Sequence, residues 1–268
     1  MALITRLTTE PALQAAWAFL LLNITSALIY SIFHHQIVSL LARQFPPSEE
    51  EGLSRLQYLG PVSNADPSGT LELIAMEQLR ELEHIAAFLS SLPEESQGID
   101  MARRFSALEM LGREIEGALA EVCSMRIDRN IAQWSAVLQT RQTLIRQLAD
   151  STAEFGASIG EARRFPEIAG LASACFETVD FLFQYAIELI QTGGDDDESD
   201  RLVFYNDRGP QMQQLREAYL NMHQDLTHEA RSALLALTIG LDKCVWLLGR
   251  TLSMETELHK YQIKLQSR

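Results

Sequence analysis

Positive charge is scarce in this sequence. Its 268 residues include 22 lysines and arginines against 36 aspartates and glutamates, which gives a formal net charge of -14. Nucleic-acid binding needs a positive field that displaces the counterions of phosphate, so the composition argues against a nucleic-acid partner. It also disfavours docking of a soluble domain on anionic lipid. A small anion such as phosphate would need a local arginine cluster or a metal.

Aromatic residues and cysteines are also few. Aromatic residues make up 7% of the chain and apolar residues 47%, a balance typical of an all-α protein built on leucine, alanine and isoleucine. The only cysteines are Cys123, Cys175 and Cys244, each within an apolar helical pattern. An odd, widely spaced set predicts buried free thiols in a reducing compartment, not a disulfide framework or a zinc site.

Motifs of nucleophilic catalysis are missing as well. The sequence contains no Gly-x-Ser-x-Gly, no glycine-rich phosphate loop and no cysteine paired with a histidine in a recognisable context. We therefore expect that this protein is not an enzyme.

Charge of either sign is absent from one long stretch, ALQAAWAFLLLNITSALIYSIFHHQIVSLLA, at 12–42. Crossing about 30 Å of hydrocarbon takes roughly 20 mostly apolar residues. The stretch therefore predicts a single transmembrane helix at about 12–33. A secretory signal peptide is one alternative, although the stretch is longer than the apolar region of a typical signal and continues into His34 and His35. A buried core helix is the other alternative, because polar residues lie in the middle of the stretch.

Polar residues in the middle of this segment predict its partners. Asn23, Thr25 and Ser26 would seek hydrogen bonds from neighbouring helices in the membrane. No later stretch reads as a second span. We therefore expect the lipid bilayer as one partner, and as the other either further transmembrane helices of a longer polytopic protein or a second copy in a homo-oligomer.

The rest of the chain divides by proline and periodicity. An N-terminal segment at 1–43 is followed by a proline-rich linker at 44–69, a helical bundle at 70–260 and a tail at 261–268. Apolar spacing predicts helices over about 67–92, 99–125 and 127–150, followed by a weaker helical stretch over 151–164. It also predicts a helix that begins at Pro166 and one long helix from Pro210 to about Leu258. Trp134, Trp246, Phe181 and Phe183 occupy positions that core packing explains.

Carboxylates and histidines recur on helix faces. Asp225, His228 and Glu229 share one face, as do Glu81 and His84, and bundles build dinuclear iron or manganese sites from such pairs. The additional ligands would be Glu116, Glu177 and Asp180. A divalent metal is the cofactor that this pattern indicates, although solvated acidic faces show the same spacing. The alternative function is thus a metal-binding helical-bundle protein, either a soluble enzyme or a scaffold.

Four stretches carry a family resemblance. They are AAWAFLLLNITSAL, LQYLGPVSNADPSGTLELIAMEQLR, YNDRGPQMQQLREAYL and LLALTIGLDKCVWLLGR, spread over much of 12–258. Together they resemble the C-terminal part of bacterial sodium/phosphate cotransporters, in which a PhoU-like helical domain follows the last membrane span.

The resemblance implies a function. It implies a cytoplasmic PhoU-like regulatory domain with a membrane anchor, in the cell inner membrane, as part of a sodium-dependent phosphate transport system. The family's Gln-Ser-Ser motifs do not occur here, so the chain should not transport phosphate by itself. Metal motifs of PhoU-like domains have their nearest forms in Asp225-x-x-x-Glu229 and Glu177-x-x-Asp180.

Overall fold

The secondary structure of the protein is helical. The computed structural model describes residues 19–20, 22–25, 49–60, 66–92, 98–192, 209–222 and 225–266. No strand occurs among these residues, so the all-α prediction is confirmed for them. Backbone contacts divide the chain into two units, Met1–Glu49 and Glu50–Arg268.

In chain order, the named helices are α1 (Glu49–Ser54), α2 (Pro67–Ser91), α3 (Gly98–Ser124), α4 (Arg129–Ala162), α5 (Pro166–Gln191), α6 (Gly209–Met222) and α7 (His228–Gln266). Capping side chains and proline determine where several of these helices begin. Asp66 caps α2, accepting a hydrogen bond from the Ser68 N–H at 3.0 Å, and Pro67 takes the first helical position. Asp128 caps α4 in the same way.

The longest of these helices, α4 and α7, pack antiparallel along their lengths. The Nζ of Lys243 lies 3.0 Å from a carboxylate oxygen of Glu154, and further along the pair Arg141 meets Glu255. Gly240 lets the two backbones approach, because a Cβ there would lie 3.0 Å from Cδ2 of Phe155. The α4–α7 pair is the central contact of the body: α2 and α3 pack against α4, and α5 packs against α7.

Two apolar clusters fill the body. The first lies where the start of α2 meets the end of α3, the start of α4 and the end of α7, and includes Leu71, Ile115, Trp134 and Leu258. The second lies where the end of α2 meets α5, the end of α4 and the start of α7, and includes Leu89, Phe155, Phe183 and Leu237. The antiparallel bundle that the apolar spacing predicts is present, with α3 mainly in the first cluster and α5 in the second.

Three helix boundaries differ from the predictions. The predicted helix at 127–150 and the weaker stretch at 151–164 are one continuous helix, α4, because Gly156 packs against Leu92 instead of ending the helix. The predicted helix from Pro210 to Leu258 is two helices, because the Thr227 hydroxyl accepts a hydrogen bond from the Ala230 N–H at 3.2 Å and starts α7 afresh. Part of the linker forms α1.

Three burial predictions are also wrong. Cys175 and Cys244 are buried free thiols as expected, but Cys123 is exposed. Trp246 and Phe181 are 58% and 65% exposed, whereas Trp134 and Phe183 are fully buried. Helical periodicity determines which residues share a face of a helix. Whether that face is buried depends on where the neighbouring helices pack, which periodicity does not determine.

The predicted membrane helix at 12–33 lies mostly outside the described residues. Residues 19–20 and 22–25 are helical and expose Phe19, Leu22 and Ile24. One helix of the described chain, His228–Glu255, is long and apolar enough to cross a membrane, with a mean hydropathy of 1.5. The expectation that no later stretch could span is therefore wrong by length and composition. Of the most apolar window of this helix, 56% is buried inside the protein, as in a core helix.

Candidate functional site

A layer of buried polar residues separates the two apolar clusters. Gln78 and Glu81 on α2 and Arg141 and Gln142 on α4 are each no more than 2% exposed. We call these four residues the polar layer. Buried polar groups stabilise a fold only when they are paired, so the contacts of each member decide what the layer can do.

Glu81 is the acid of the polar layer. Its Oε2 accepts a hydrogen bond of 2.7 Å from the Nε2 of Gln142. Its Oε1 lies towards Gly112 on α3, where a Cβ would come within 2.8 Å of it. Glycine at 112 is thus what allows α3 to pass over this carboxyl group.

Burial raises the pKa of Glu81 to about 7, because the charged form loses its hydration inside the protein. The hydrogen bond from Gln142 opposes this rise, and the negative charge of Glu116 adds to it. Arg80 and Arg146 lower the pKa by smaller amounts. A carboxyl group of this kind changes its protonation near neutral pH.

Arg141 is the cation of the polar layer. Its guanidinium is 1% exposed and its Nη1 lies 3.1 Å from Oε2 of Glu255 on α7. The contact is an ion pair without hydrogen-bond alignment, since Glu255 Oε2 and the Nε and Nη2 of Arg141 have no hydrogen-bond partner among the described residues. Burial lowers the pKa of Arg141, and the charge of Glu255 opposes that shift.

Beside the polar layer, Glu77 holds the linker. One of its carboxylate oxygens accepts hydrogen bonds from the backbone N–H groups of Gln57, of Tyr58 at 2.6 Å and of Leu59 at 3.4 Å. The side chain of Glu77 is fully buried. Successive backbone N–H groups converge on this anion, as they do in anion-binding loops.

Arg80 completes this contact from one turn further along α2. It donates from Nε to Glu77 Oε2 at 2.8 Å and from Nη2 to the Arg55 carbonyl at 2.6 Å, and its Nη1 lies 3.4 Å from His84 Nε2. Burial lowers the pKa of His84, and the charge of Arg80 lowers it further. We call Glu77 and Arg80 the clasp, because together they bind both the donors and the acceptors of the linker backbone.

The predicted metal ligands lie apart from these groups. Asp225, His228, Glu229 and Glu177 are exposed, and Asp180 accepts a hydrogen bond of 2.6 Å from the Ser90 hydroxyl. His228 and Glu229 line one surface depression of about 480 Å³ together with Glu161. No group of three or more His, Cys, Asp or Glu side chains suited to a metal occurs in the part of the chain that the structure describes.

The other sequence candidates are also accounted for. Glu81 and His84 share a helix but bind different partners, Gln142 and Arg80 respectively. Asn23 and Thr25 are exposed on the short helical stretch of the first unit, and Ser26 lies outside the described residues. Metal binding and the membrane contacts of these polar residues stay predictions.

Sequence reasoning missed the polar layer and the clasp, although one signal was present. Ile74, Gln78, Glu81 and Ile85 recur at intervals of four, three and four residues along α2. Positions 78 and 81 therefore fall on the core face of a helix, where a polar residue needs a partner on another helix.

Comparison of the chain with protein-family models, with curated proteins and with solved structures gives no match in any of the three. The fold and the site define an all-α, antiparallel helical bundle that carries a buried polar layer and a clasp on its linker. The resemblance to sodium/phosphate cotransporters remains a prediction from the sequence.

Proposed function

We propose that this chain is a membrane-anchored regulatory module. In this proposal the apolar stretch at 12–33 anchors it in the inner membrane, and the helical body acts in the cytoplasm as a PhoU-like domain of a sodium-dependent phosphate transport system. The partners are the lipid bilayer and the transmembrane helices of the transporter. The chain regulates and does not itself catalyse or transport.

The clasp is the observation that supports a regulatory role, and the link to phosphate transport comes from the sequence resemblance. In the sequence, the linker held by Glu77 and Arg80 follows directly on the apolar stretch. A linker that only connects two parts of a chain can run over the surface, where proline and surface contacts are enough to place it. A buried ion pair that binds the linker backbone is more than such a connection needs. Hydrogen bonds to a buried charge are among the stronger contacts in proteins. A displacement of the linker would therefore act directly on α2.

The clasp also adjoins the polar layer. Arg80 and Glu81 are consecutive on α2, Glu81 binds Gln142 on α4, and Arg141 on the same helix pairs with Glu255 on α7. Two side-chain contacts and two pairs of neighbouring residues thus lead from the linker to the long helix pair. This arrangement supports a role in which the position of the linker alters the packing of the body.

Fractionation of the full chain tests the anchor. We expect the protein to stay with membranes after alkaline extraction, and Leu22→Lys with Ile24→Lys to release it, since each lysine at mid-span costs about 2.5 to 3.5 kcal/mol of insertion free energy. Leu235→Lys with Ile239→Lys is the matched control, because these exposed residues lie on α7, the other helix of spanning length. Release by the α7 pair and not by the first pair would overturn the proposed anchor.

Transport tests the regulatory role separately. Sodium-driven phosphate uptake would be compared in cells that produce the transporter with the wild-type chain, without it, or with Glu77→Ala. We expect Glu77→Ala to reproduce the effect of removing the chain. Glu83→Ala, on the same helix but outside the clasp, should behave as wild type. Equal uptake with and without the chain would remove the link to phosphate transport and leave the anchor standing.

A further inference from the structure

A pocket of about 290 Å³ opens over the polar layer between α2, α3 and α4. Glu81 lies at its floor, 2% exposed, and Leu108 and Ala149 provide apolar walls. Arg113 from α3 and Arg146 from α4 line it with guanidinium groups that are each more than half exposed. The pocket thus places one buried acid beneath two exposed cations.

The carboxyl group of Glu81 keeps one oxygen available to this pocket. Gln142 binds Oε2, and no described residue donates a hydrogen bond to Oε1. That oxygen lies next to Gly112, which itself lines the pocket. A side chain at position 112 would fill the space above Oε1, so the glycine keeps the oxygen within reach of a ligand.

We propose that this pocket binds a small anion that carries its own hydrogen-bond donor. The guanidinium groups of Arg113 and Arg146 bind the anionic end, and Oε1 of Glu81 accepts the ligand's donor. Small hydroxy acids and hydrogen phosphate both have this chemistry. The inference goes beyond the proposed function, because it depends neither on the clasp nor on a membrane anchor.

The two arginines of the pocket are held in exposed ion pairs. Arg146 pairs with Glu116 at 3.2 Å and Arg113 with Glu109 at 3.9 Å, and exposed pairs of this kind contribute little to stability. A ligand anion can therefore replace them at small cost. The charged groups that face Glu81 or line its pocket are Arg80 from α2, Glu109, Arg113 and Glu116 from α3, and Arg146 and Asp150 from α4.

Glu81 also makes the pocket selective. As a carboxylate it accepts a hydrogen bond but repels an anion that has no donor. When protonated it can donate, so both kinds of anion are accepted. The pKa of Glu81, about 7, places the change between these two states near neutral pH. Discrimination by the donor should therefore appear above pH 7 and fade below it.

Titration calorimetry on the full chain tests this with matched anions. Each donor-bearing anion is compared with a counterpart that has no donor: hydrogen phosphate with sulfate, and glycolate with acetate. At about pH 8, where Glu81 is ionised, we expect the donor-bearing member of one pair to bind at least tenfold tighter than its counterpart. This factor is about the effect of one hydrogen bond to a charged group. Which of the two pairs shows the difference identifies the source of the ligand.

Variants separate recognition from folding. In Glu81→Gln, the affinity for sulfate or acetate should come within about threefold of the affinity for its donor-bearing counterpart at the same pH, because the amide group can donate a hydrogen bond to an anion. Arg146→Gln should weaken binding about tenfold, whereas Arg164→Gln, an exposed arginine outside the pocket, should leave it unchanged. Circular dichroism melts confirm that each variant is folded.

Three outcomes would overturn the proposal. The first is that neither donor-bearing anion at millimolar concentration gives heat or raises the melting temperature of the protein. The second is equal binding of sulfate and phosphate by the wild type at about pH 8, together with equal binding of acetate and glycolate. The third is unchanged discrimination in folded Glu81→Gln.

Discussion

Arg141 on α4 and Glu255 on α7 form an ion pair of 3.1 Å across the interface of two long helices, and the pair is unevenly buried. The guanidinium is 1% exposed and the carboxylate 26% exposed. The charge of Arg141 therefore depends on Glu255 for its stabilisation, because water does not reach the guanidinium. The antiparallel register of the two helices places the partner there.

Removing the two members of this pair should have unequal effects. We expect Glu255→Ala to lower the free energy of unfolding by about 3 kcal/mol, because it leaves a buried guanidinium without a counter-charge. Arg141→Met, which replaces the cation by an apolar side chain, should change it by less than about 1 kcal/mol in either direction. Urea unfolding measures both. Equal losses in the two variants would contradict the unequal dependence of the two charges on each other.

Stability should fall as the pH rises from about 4.5 to about 7. The pKa of Glu81 rises from 4.5 to about 7 on folding, so between these values the folded chain keeps a proton that the unfolded chain has lost. This proton favours the folded state at low pH, and the contribution lost by pH 7 is about 3 kcal/mol. Glu81→Gln should remove this slope and be more stable than wild type above pH 7.

Unfolding by urea across this pH range measures the effect of Glu81. Glu114→Gln removes an exposed carboxylate from α3 and should keep the wild-type slope. A slope that persists in Glu81→Gln would place the responsible group elsewhere.

Alanine at two glycines should have opposite effects. Gly240→Ala puts a Cβ 3.0 Å from Cδ2 of Phe155, and this ring is fully buried and has little room to move. We expect a loss of about 1 to 3 kcal/mol in the free energy of unfolding. Gly160→Ala points into open space and should add about 0.5 to 1 kcal/mol through helix propensity. Thermal melts of the two variants should therefore shift to opposite sides of wild type.

The clasp should protect the linker from proteolysis. The Arg55 carbonyl accepts a hydrogen bond from Arg80, and the next residues are bound by Glu77. Trypsin should cut after Arg55 slowly in the wild type and at least tenfold faster in Glu77→Ala, since local opening then loses charge-assisted hydrogen bonds. Mass spectrometry identifies the cut. Glu83→Ala should match the wild type, and equal rates in all three would mean that the clasp does not hold the linker.

The thiols should differ in reactivity. Burial raises the pKa of Cys175 to about 11 and that of Cys244 to about 12, and Cys123 is exposed. Iodoacetamide should therefore modify Cys123 first on the native protein and all of the cysteines after unfolding. Peptide mass spectrometry locates the label. Early labelling of Cys244 on the native protein would contradict the burial of that face of α7.

The positions of most helices could be predicted from the sequence. Asp66 followed by Pro67, and Pro166 further along, begin α2 and α5 where the pattern places them. Caps and apolar periodicity act over one or two turns, so a single chain segment contains the information. The break before α7 was missed because the cap at Thr227 lies within an otherwise helical pattern.

The amino-acid sequence by itself determined the helical class, the acidic surface and most helix boundaries, because these depend on composition and on neighbours within a few residues. Only the tertiary structure decided that Glu77 binds the linker, that Glu81 meets Gln142, and that Trp246 is left exposed. Glu81 and Gln142 are 61 residues apart in the chain. Contacts over such separations, and the covering of one helix face and not another, arise only when the whole bundle has packed.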